Sequence, residues 1–300
     1  MFTNRFIIAM LSAALLLAAS VGPTAARRPG PPPERPLTAQ EQAASERKIA
    51  AAEAYVATAD AQDISHSLAS VTSWCPTPEG IDTQATTNET TTDETTHSCT
   101  TTPSGFLSVS ARDQVNGMYC GPAVGQVIAN YSWIMAASAD RYSQKAIAGW
   151  MRTDANGGTS APWLASGLNT ATHGSPREPG TWTWIVTDLL DRNANGDKTD
   201  ELYTYVRSNI SASRMPLAIP VKPHDKYAEF RLSSWPKPVK SPGHWIAAYG
   251  WHGTYAKGTD GARVYYTDSS RDEGGATGKF WDPTRHLATM ISVHTGRLVW

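Results

Sequence analysis

Apolar residues recur at helical spacing in several stretches of the first two thirds of the chain. One helix is predicted to begin at Cys120, because Pro122 suits a first helical turn and a single apolar face follows, made of Val124, Val127, Ile128 and Tyr131. Ser143 and Ser160 are each placed to cap a further helix. A fourth helix is expected at 201–210, with apolar positions at Leu202, Tyr203, Val206 and Ile210.

The last third of the chain changes to short apolar runs, which are typical of strands. Strands are predicted at 216–221, 244–250, 263–268 and 296–300. Pro216 and Pro220 indicate an edge strand or a bulge, because proline donates no ladder hydrogen bond. A short helix is expected at 282–290, and 182–190 fits either a strand or a helix. Helices followed by an antiparallel sheet predict an α+β fold.

The first 26 residues have the pattern of a secretory signal peptide. Arg5 supplies the positive charge, residues 6–19 are almost wholly apolar, and small residues precede the expected cleavage site near Ala26. The apolar run is too short for a comfortable membrane span. We therefore expect a secreted protein with no membrane segment after cleavage, and an uncleaved anchor is the alternative.

A region poor in large apolar residues, 27–104, precedes the expected compact domain at 105–300. It starts with a proline-rich spacer at 27–37, which is expected to be extended. It ends with a threonine-rich stretch, 76–104, which is interpreted as a surface loop.

The middle of this region predicts one helix. Thr38 and Glu41 form a capping-box pattern, and an alanine-rich stretch follows to about Ala59. Because alanine buries little apolar area, the helix is interpreted as a solvated N-terminal arm or a pro-segment.

The overall composition excludes two classes of partner. The chain has 300 residues, of which 40% are hydrophobic and 18% charged, and this fits one globular domain with extra segments or two small domains. The formal net charge is −1, so we expect neither a nucleic-acid surface nor one for anionic membranes.

Three cysteines are present, and export would permit disulfides between them. Cys75 and Cys99 flank the threonine-rich stretch, so the economical pairing is Cys75–Cys99 with Cys120 as a free thiol. The alternative is a disulfide from Cys120 to Cys75 or to Cys99, which would make Cys120 structural.

Cys120 lies where a predicted helix offers backbone N–H groups and the positive end of its dipole. Both favour an anion, and the thiolate is the nucleophilic form of cysteine in covalent catalysis. The competing interpretation is a small buried apolar residue, which is the more common role of a free cysteine.

A nucleophilic cysteine needs a base and a group that orients the base. His244 begins one predicted strand and Asp268 ends the next, so adjacent strands would let the carboxylate accept a hydrogen bond from the imidazole. Gln114, six residues before Cys120, can offer its side-chain NH2 to an oxyanion together with the Cys120 N–H.

Other residues compete for the roles of base and orienting group. His252 and His294 are the closest rivals of His244, since each follows an apolar stretch. The remaining histidines are expected outside the domain, in loops or on a helix, and they are His66, His97, His173, His224 and His286. Asp260 and Asp272 rival Asp268, but both are interpreted as loop residues.

Four features together resemble the papain-like cysteine peptidases, in particular the branch with the bacteriocin leader (double-glycine) peptidases and their secreted stand-alone relatives. The features are Gln114 six residues before Cys120, Tyr-Cys-Gly-Pro-Ala at 119–123, Gly-His-Trp at 243–245, and Asp268. The resemblance covers roughly 106–300. It implies a papain-like fold, with N-terminal helices packed on an antiparallel sheet.

The resemblance also implies an activity, namely peptide-bond hydrolysis through a thioester acyl-enzyme, with a protein or peptide as substrate and no required cofactor. Cys120 would be the nucleophile, His244 the general base and acid, Asp268 the orienting group and Gln114 the oxyanion donor. Unlike the transporter-linked members, this chain is expected to lack transmembrane and ATP-binding regions, so their leader-peptide substrate does not carry over.

Two other function classes are open. One is a peptidoglycan amidase or endopeptidase of the NlpC type, which the Gln-x5-Cys spacing disfavours. The other is a catalytically silent secreted binding module. A silent module would have no catalytic reason to keep the full set, which is Cys120, His244, Asp268 and Gln114.

Residues 191–201 resemble the calcium loop D-x-N-x-N-G. The candidate ligands are Asp191, Asn193, Asn195, Asp197 and Glu201. Position twelve of the motif is Leu202 where a bidentate Glu is expected, and Glu201 comes one residue early. A structural calcium ion and a polar surface turn are both compatible with this pattern.

Overall fold

The computed structural model describes residues 35–69, 102–177, 183–190, 198–224, 229–235, 243–270 and 275–300. Within these ranges the chain forms six helices and an open antiparallel sheet, in an α+β arrangement. The predicted signal peptide, the threonine-rich stretch with Cys75 and Cys99, and most of the calcium-like loop lie outside the described residues.

The helices begin close to the positions that their capping residues predict. Ser143 accepts a hydrogen bond from the Ala146 N–H at 3.2 Å, and Ser160 is the N-cap residue of the next helix. No helix within the described ranges is long and apolar enough to cross a bilayer. The helices are α1 (Ala39–Ala69), α2 (Cys120–Ser132), α3 (Gln144–Trp150), α4 (Ala161–Thr172), α5 (Thr199–Ser211) and α6 (Thr284–His294).

The strands are β1 (Ser104–Phe106), β2 (Val186–Asp188), β3 (Leu217–Val221), β4 (His244–His252), β5 (Arg263–Asp268), β6 (Gly278–Pro283) and β7 (Arg297–Val299). Their order in the sheet is β2-β7-β3-β4-β5-β6, and β1 pairs with the end of β4. All pairs are antiparallel, so the start of β4 and the end of β5 lie side by side, where these strands end.

The prediction that β3 is an edge or bulged strand is wrong, because β3 lies between β7 and β4. Every residue of β3 pairs with β4, but β7 pairs with β3 only at Ala218. Pro220 lies beyond this short contact with β7. Its missing N–H is therefore tolerated within the sheet.

The capping box of α1 forms as its sequence predicts. The Thr38 N–H donates to Oε2 of Glu41 at 2.8 Å, and the Glu41 N–H donates to Oγ1 of Thr38 at 3.2 Å. The helix continues to Ala69, well past the expected end near Ala59.

The packing of α1 corrects its interpretation as a solvated arm. Ile49 and Ala52 are buried within the hydrophobic core, and Asp60 forms an ion pair with Arg207 of α5. Small alanine side chains let two helices approach closely, so an alanine-rich face can pack without large residues. The predicted domain boundary near residue 105 and the pro-segment role stay predictions.

Helix α2 forms the centre of the helical layer. Every residue of α2 after Cys120 is buried, and the helix contacts β4, α3 and α4. The first residue of this helix is thus held in place by the interior of the domain.

Candidate active site

The thiol of Cys120 is half-buried at the first position of α2 and forms no disulfide among the described residues. Tyr119, the N-cap residue, makes no side-chain capping bond to the first turn. The first N–H groups of a helix have no partner inside the helix, and they give this end a partial positive charge. The Cys120 N–H and its thiol therefore lie together where a negative charge is stabilised.

His244 and Asp268 meet where the start of β4 and the end of β5 lie side by side. Nε2 of His244 and Oδ1 of Asp268 are 2.8 Å apart, and both side chains are buried. Ala247 of β4 pairs with Thr267 of β5, so the register places the strand ends beside each other. The hydrogen bond expected from the strand ends is present.

Two further groups donate hydrogen bonds to the Asp268 carboxylate. The Ser234 hydroxyl donates to Oδ2 at 2.5 Å, and the Ser270 N–H donates to Oδ1 at 2.9 Å. Burial raises the pKa of Asp268, but the charge and ring N–H of His244 and these two donors hold it below its ordinary value. Asp268 is therefore an anion at neutral pH.

His244 is cationic when the thiol is ionised. Burial lowers the pKa of His244, but the charge and hydrogen bond of Asp268, followed by those of Cys120, raise it to about 10. Because Nε2 is bound to Asp268, Nδ1 is the ring nitrogen left for the hydrogen bond with Cys120. The three side chains form one series, from sulfur through imidazole to carboxylate.

Trp235 covers the imidazole of His244. The two ring centroids are 5.5 Å apart at an interplanar angle of 63°, and Trp235 is buried. Sequence reasoning missed both Trp235 and Ser234, because 222–242 is rich in proline and carries no helix or strand pattern. The adjacent Ser-Ser-Trp at 233–235 has no periodicity that could have indicated these contacts.

A backbone hydrogen bond holds Gln114 beside the residue that follows Asp268. The Gln114 N–H donates to the carbonyl of Ser269 at 3.0 Å, and the side chain is buried. Its Oε1 has no hydrogen-bond partner among the described residues. The segment that carries the candidate oxyanion donor therefore lies beside the end of β5.

The two rival histidines are placed differently from His244. His252 ends β4, at the opposite end of the strand from His244. His294 lies close to the site, where burial and the charges of Lys222 and His244 lower its pKa to about 4. His294 is therefore a neutral neighbour of the imidazolium. The side chain of His66, and all of His97 and Asp272, lie outside the described residues.

Gly243 is required by the close approach of His294. Its φ is +136°, a value that residues with a Cβ rarely adopt, and a Cβ there would overlap Nε2 of His294. The residue before His244 thus has both a conformational and a steric reason to be glycine.

Asp260, a rival of Asp268, instead accepts a hydrogen bond from Arg285 at 2.9 Å.

The predicted calcium ligands are mostly outside the described residues, namely Asp191, Asn193, Asn195 and Asp197. Glu201 lies in the first turn of α5, is buried, and has its Oε2 3.5 Å from the hydroxyl of Tyr205. Within the described ranges, no group of three or more His, Cys, Asp or Glu side chains is arranged to hold a metal ion. Calcium binding and the Cys75–Cys99 disulfide stay predictions.

The sequence matches no protein-family model, and no curated protein is significantly similar to it.

Proposed function

We propose that the protein is a secreted cysteine peptidase of papain-like architecture, which hydrolyses peptide bonds through a thioester on Cys120. The observation that carries the proposal is the series Cys120–His244–Asp268. It supplies a thiol, a ring nitrogen beside it, and a buried carboxylate at 2.8 Å that orients the ring.

Acylation begins when the Cys120 sulfur attacks the carbonyl carbon of the substrate. The carbonyl π electrons move to oxygen, and the Cys120 N–H and the Gln114 side-chain NH2 are proposed to donate to this oxyanion. As the carbonyl reforms, the C–N bond breaks, and Nδ1–H of His244 gives its proton to the leaving amine. The products of this stage are a free amine and a thioester.

Deacylation uses the same groups in reverse. Neutral His244 takes a proton from a water molecule, whose oxygen attacks the thioester carbonyl. The C–S bond breaks, a carboxylic acid leaves, and the Cys120 thiolate and imidazolium are restored. Asp268 keeps its charge throughout, and it stabilises the imidazolium in both stages.

Thiol alkylation tests the nucleophile without knowledge of the substrate. The protein lacking residues 1–26 is treated with iodoacetamide across about pH 5–9 without reductant, and the label is located by mass spectrometry. We expect selective labelling of Cys120 at the acidic end, weakened by His244→Ala. No label, or a disulfide from Cys120 to Cys75 or Cys99, would contradict the proposal.

Substrate assays then separate peptidases from the alternatives. A peptide library analysed by mass spectrometry should show cleavage that Cys120→Ala abolishes. Digestion of purified peptidoglycan without cleavage of ordinary peptides would favour an NlpC-type enzyme. A reactive thiol without turnover of either substrate class would favour a binding module.

A further inference from the structure

One buried glutamine contacts the residues on both sides of Gln114. Gln144, at the start of α3, is 4% exposed. Its Nε2 donates to the carbonyl of Asp113 at 2.6 Å, and its Oε1 accepts from the Val115 N–H at 3.0 Å. A single side-chain amide thus spans the peptide units that flank the candidate oxyanion donor.

We propose that Gln144 is a positioning residue that sets where Gln114 presents its NH2 to the substrate oxyanion. The inference rests on the proposed function, and it adds a residue to that site which touches no reacting atom. Gln144 acts through the main chain of 113–115.

The hydrogen bonds of Gln114 itself explain why such a residue is needed. Oε1 of Gln114 has no hydrogen-bond partner among the described residues, so this atom does not fix the side chain. The backbone that carries this side chain is held at Ser269 and at both contacts with Gln144. Loss of the Gln144 contacts would leave Gln114 with the Ser269 bond as its remaining described backbone anchor.

The amide of Gln144 is well suited to hold one geometry. Nε2 also donates to Oε1 of Gln126 at 3.0 Å, so both of its N–H groups and its oxygen are used. A fully bonded buried amide keeps its orientation, because any rotation would leave donors or acceptors unpaired. The position of α3 is thereby transmitted to the segment before Cys120.

Two reactions of Cys120 separate this role from general damage. With p-nitrophenyl acetate, sulfur adds to the carbonyl carbon, an oxyanion forms, and p-nitrophenolate then leaves to give an acetyl thioester. With iodoacetamide, an S–C bond forms as the C–I bond breaks and iodide leaves, so no oxyanion arises. A lost oxyanion donor should slow the first reaction alone.

The test compares two substitutions of one residue in the protein lacking residues 1–26. Gln144→Glu keeps an acceptor for the Val115 N–H but places an oxygen against the Asp113 carbonyl. Gln144→Met keeps the approximate size and introduces no charge. We expect acylation to slow about 10- to 100-fold in both, with alkylation unchanged, since a misplaced donor costs less than the ~10²–10³-fold of a deleted one.

Gln126→Glu is the matched control. It makes the same chemical change in direct contact with Gln144, and a carboxylate oxygen still accepts the bond from Nε2 of Gln144. Gln126 has no described side-chain hydrogen bond to 113–115, so acylation should stay near that of the wild type. Circular dichroism checks that each variant is folded.

Three results would overturn the inference. They are wild-type acylation in both Gln144 variants, equal slowing of acylation and alkylation, or equal slowing in Gln126→Glu, which would indicate a buried-charge effect. A different result marks failure of the proposed function itself. In that case the wild-type thiol is alkylated but neither acylated nor active on peptides, and the inference falls with it.

Discussion

The indole of Trp235 packs against the imidazole of His244, with ring centroids 5.5 Å apart. The preceding residue, Ser234, donates to Oδ2 of Asp268 at 2.5 Å. Two consecutive residues therefore contact both members of the His244–Asp268 pair. This short segment keeps water from a charged hydrogen bond, and charged hydrogen bonds are stronger where water is excluded.

Trp235→Ala should damage both stability and the site. A buried Trp replaced by Ala costs about 3–5 kcal/mol of the free energy of unfolding, and here it would also admit water to His244. Urea unfolding gives the first quantity, and the rate of Cys120 alkylation gives the second. Trp235→Phe is the control, because it keeps a ring and removes an indole N–H that has no partner among the described residues. Equal effects of Ala and Phe would contradict the packing role.

Asp268→Asn should move the alkaline limit of peptide hydrolysis to lower pH. Burial lowers the pKa of His244, and the Asp268 carboxylate is the main group that opposes burial and raises it to about 10. Without that charge, the imidazolium loses its proton at lower pH and can no longer protonate the leaving amine. The pH profile of kcat/KM and a histidine NMR titration measure the shift. An unchanged alkaline limit would refute this account.

The same pair should make stability depend on pH. The pKa of His244 rises from 6.5 to about 10 on folding, so its contribution is fully present below pH 6.5 and is lost as pH rises towards 10. The urea midpoint of the wild type should therefore fall over this window. In His244→Ala this part of the fall should be absent, and a parallel decline in both proteins would assign it to other groups.

Gly243→Ala should be far more damaging than the same change at another glycine of positive φ. Both Gly243 (φ +136°) and Gly258 (φ +75°) have positive φ, which residues with a Cβ rarely adopt, but of the two only the Cβ at 243 would overlap His294. Chemical unfolding of the two variants compares strain with overlap against strain in open space. Adding His294→Ala to Gly243→Ala should recover part of the lost stability, and no recovery would show that His294 is not the obstacle.

Ile49→Ala should destabilise the domain by about 2–4 kcal/mol, because Ile49 is buried in the core although it belongs to the N-terminal helix. Urea unfolding measures the change, with exposed Glu53→Ala as the control on the same helix. A removable arm would tolerate both substitutions. Cooperative loss of stability in Ile49→Ala would make α1 part of the folded unit.

Local pattern predicted the elements that carry Cys120, His244 and Asp268. The strand at 263–268 has the expected bounds, and α2 begins at Cys120, because alternation and helix-start residues are encoded over a few positions. β1, of three residues, and β6 were missed, while β2, also of three residues, lies within 182–190, where the sequence fits either a strand or a helix. Pairing across the sheet stabilises such short strands, and local sequence does not record it.

The roles of Ser234 and Gln144 could not be predicted from the sequence, for a related reason. Ser234 contacts Asp268 across 34 positions, and Gln144 contacts Asp113 across 31. Neither residue type is unusual where it occurs. Such contacts depend on how loops close over the folded sheet, so they become visible only when the three-dimensional arrangement is known.

The burial of α2 has a consequence for how the protein opens. A reactive residue on a surface loop can fray while the remainder of its domain stays folded, but Cys120 begins a helix whose other residues are all buried. Amide protons of α2 beyond its first turn should therefore exchange with solvent only through global unfolding. Inactivation by denaturant should then coincide with loss of the whole domain, and a partly opened species with a disordered nucleophile should not accumulate.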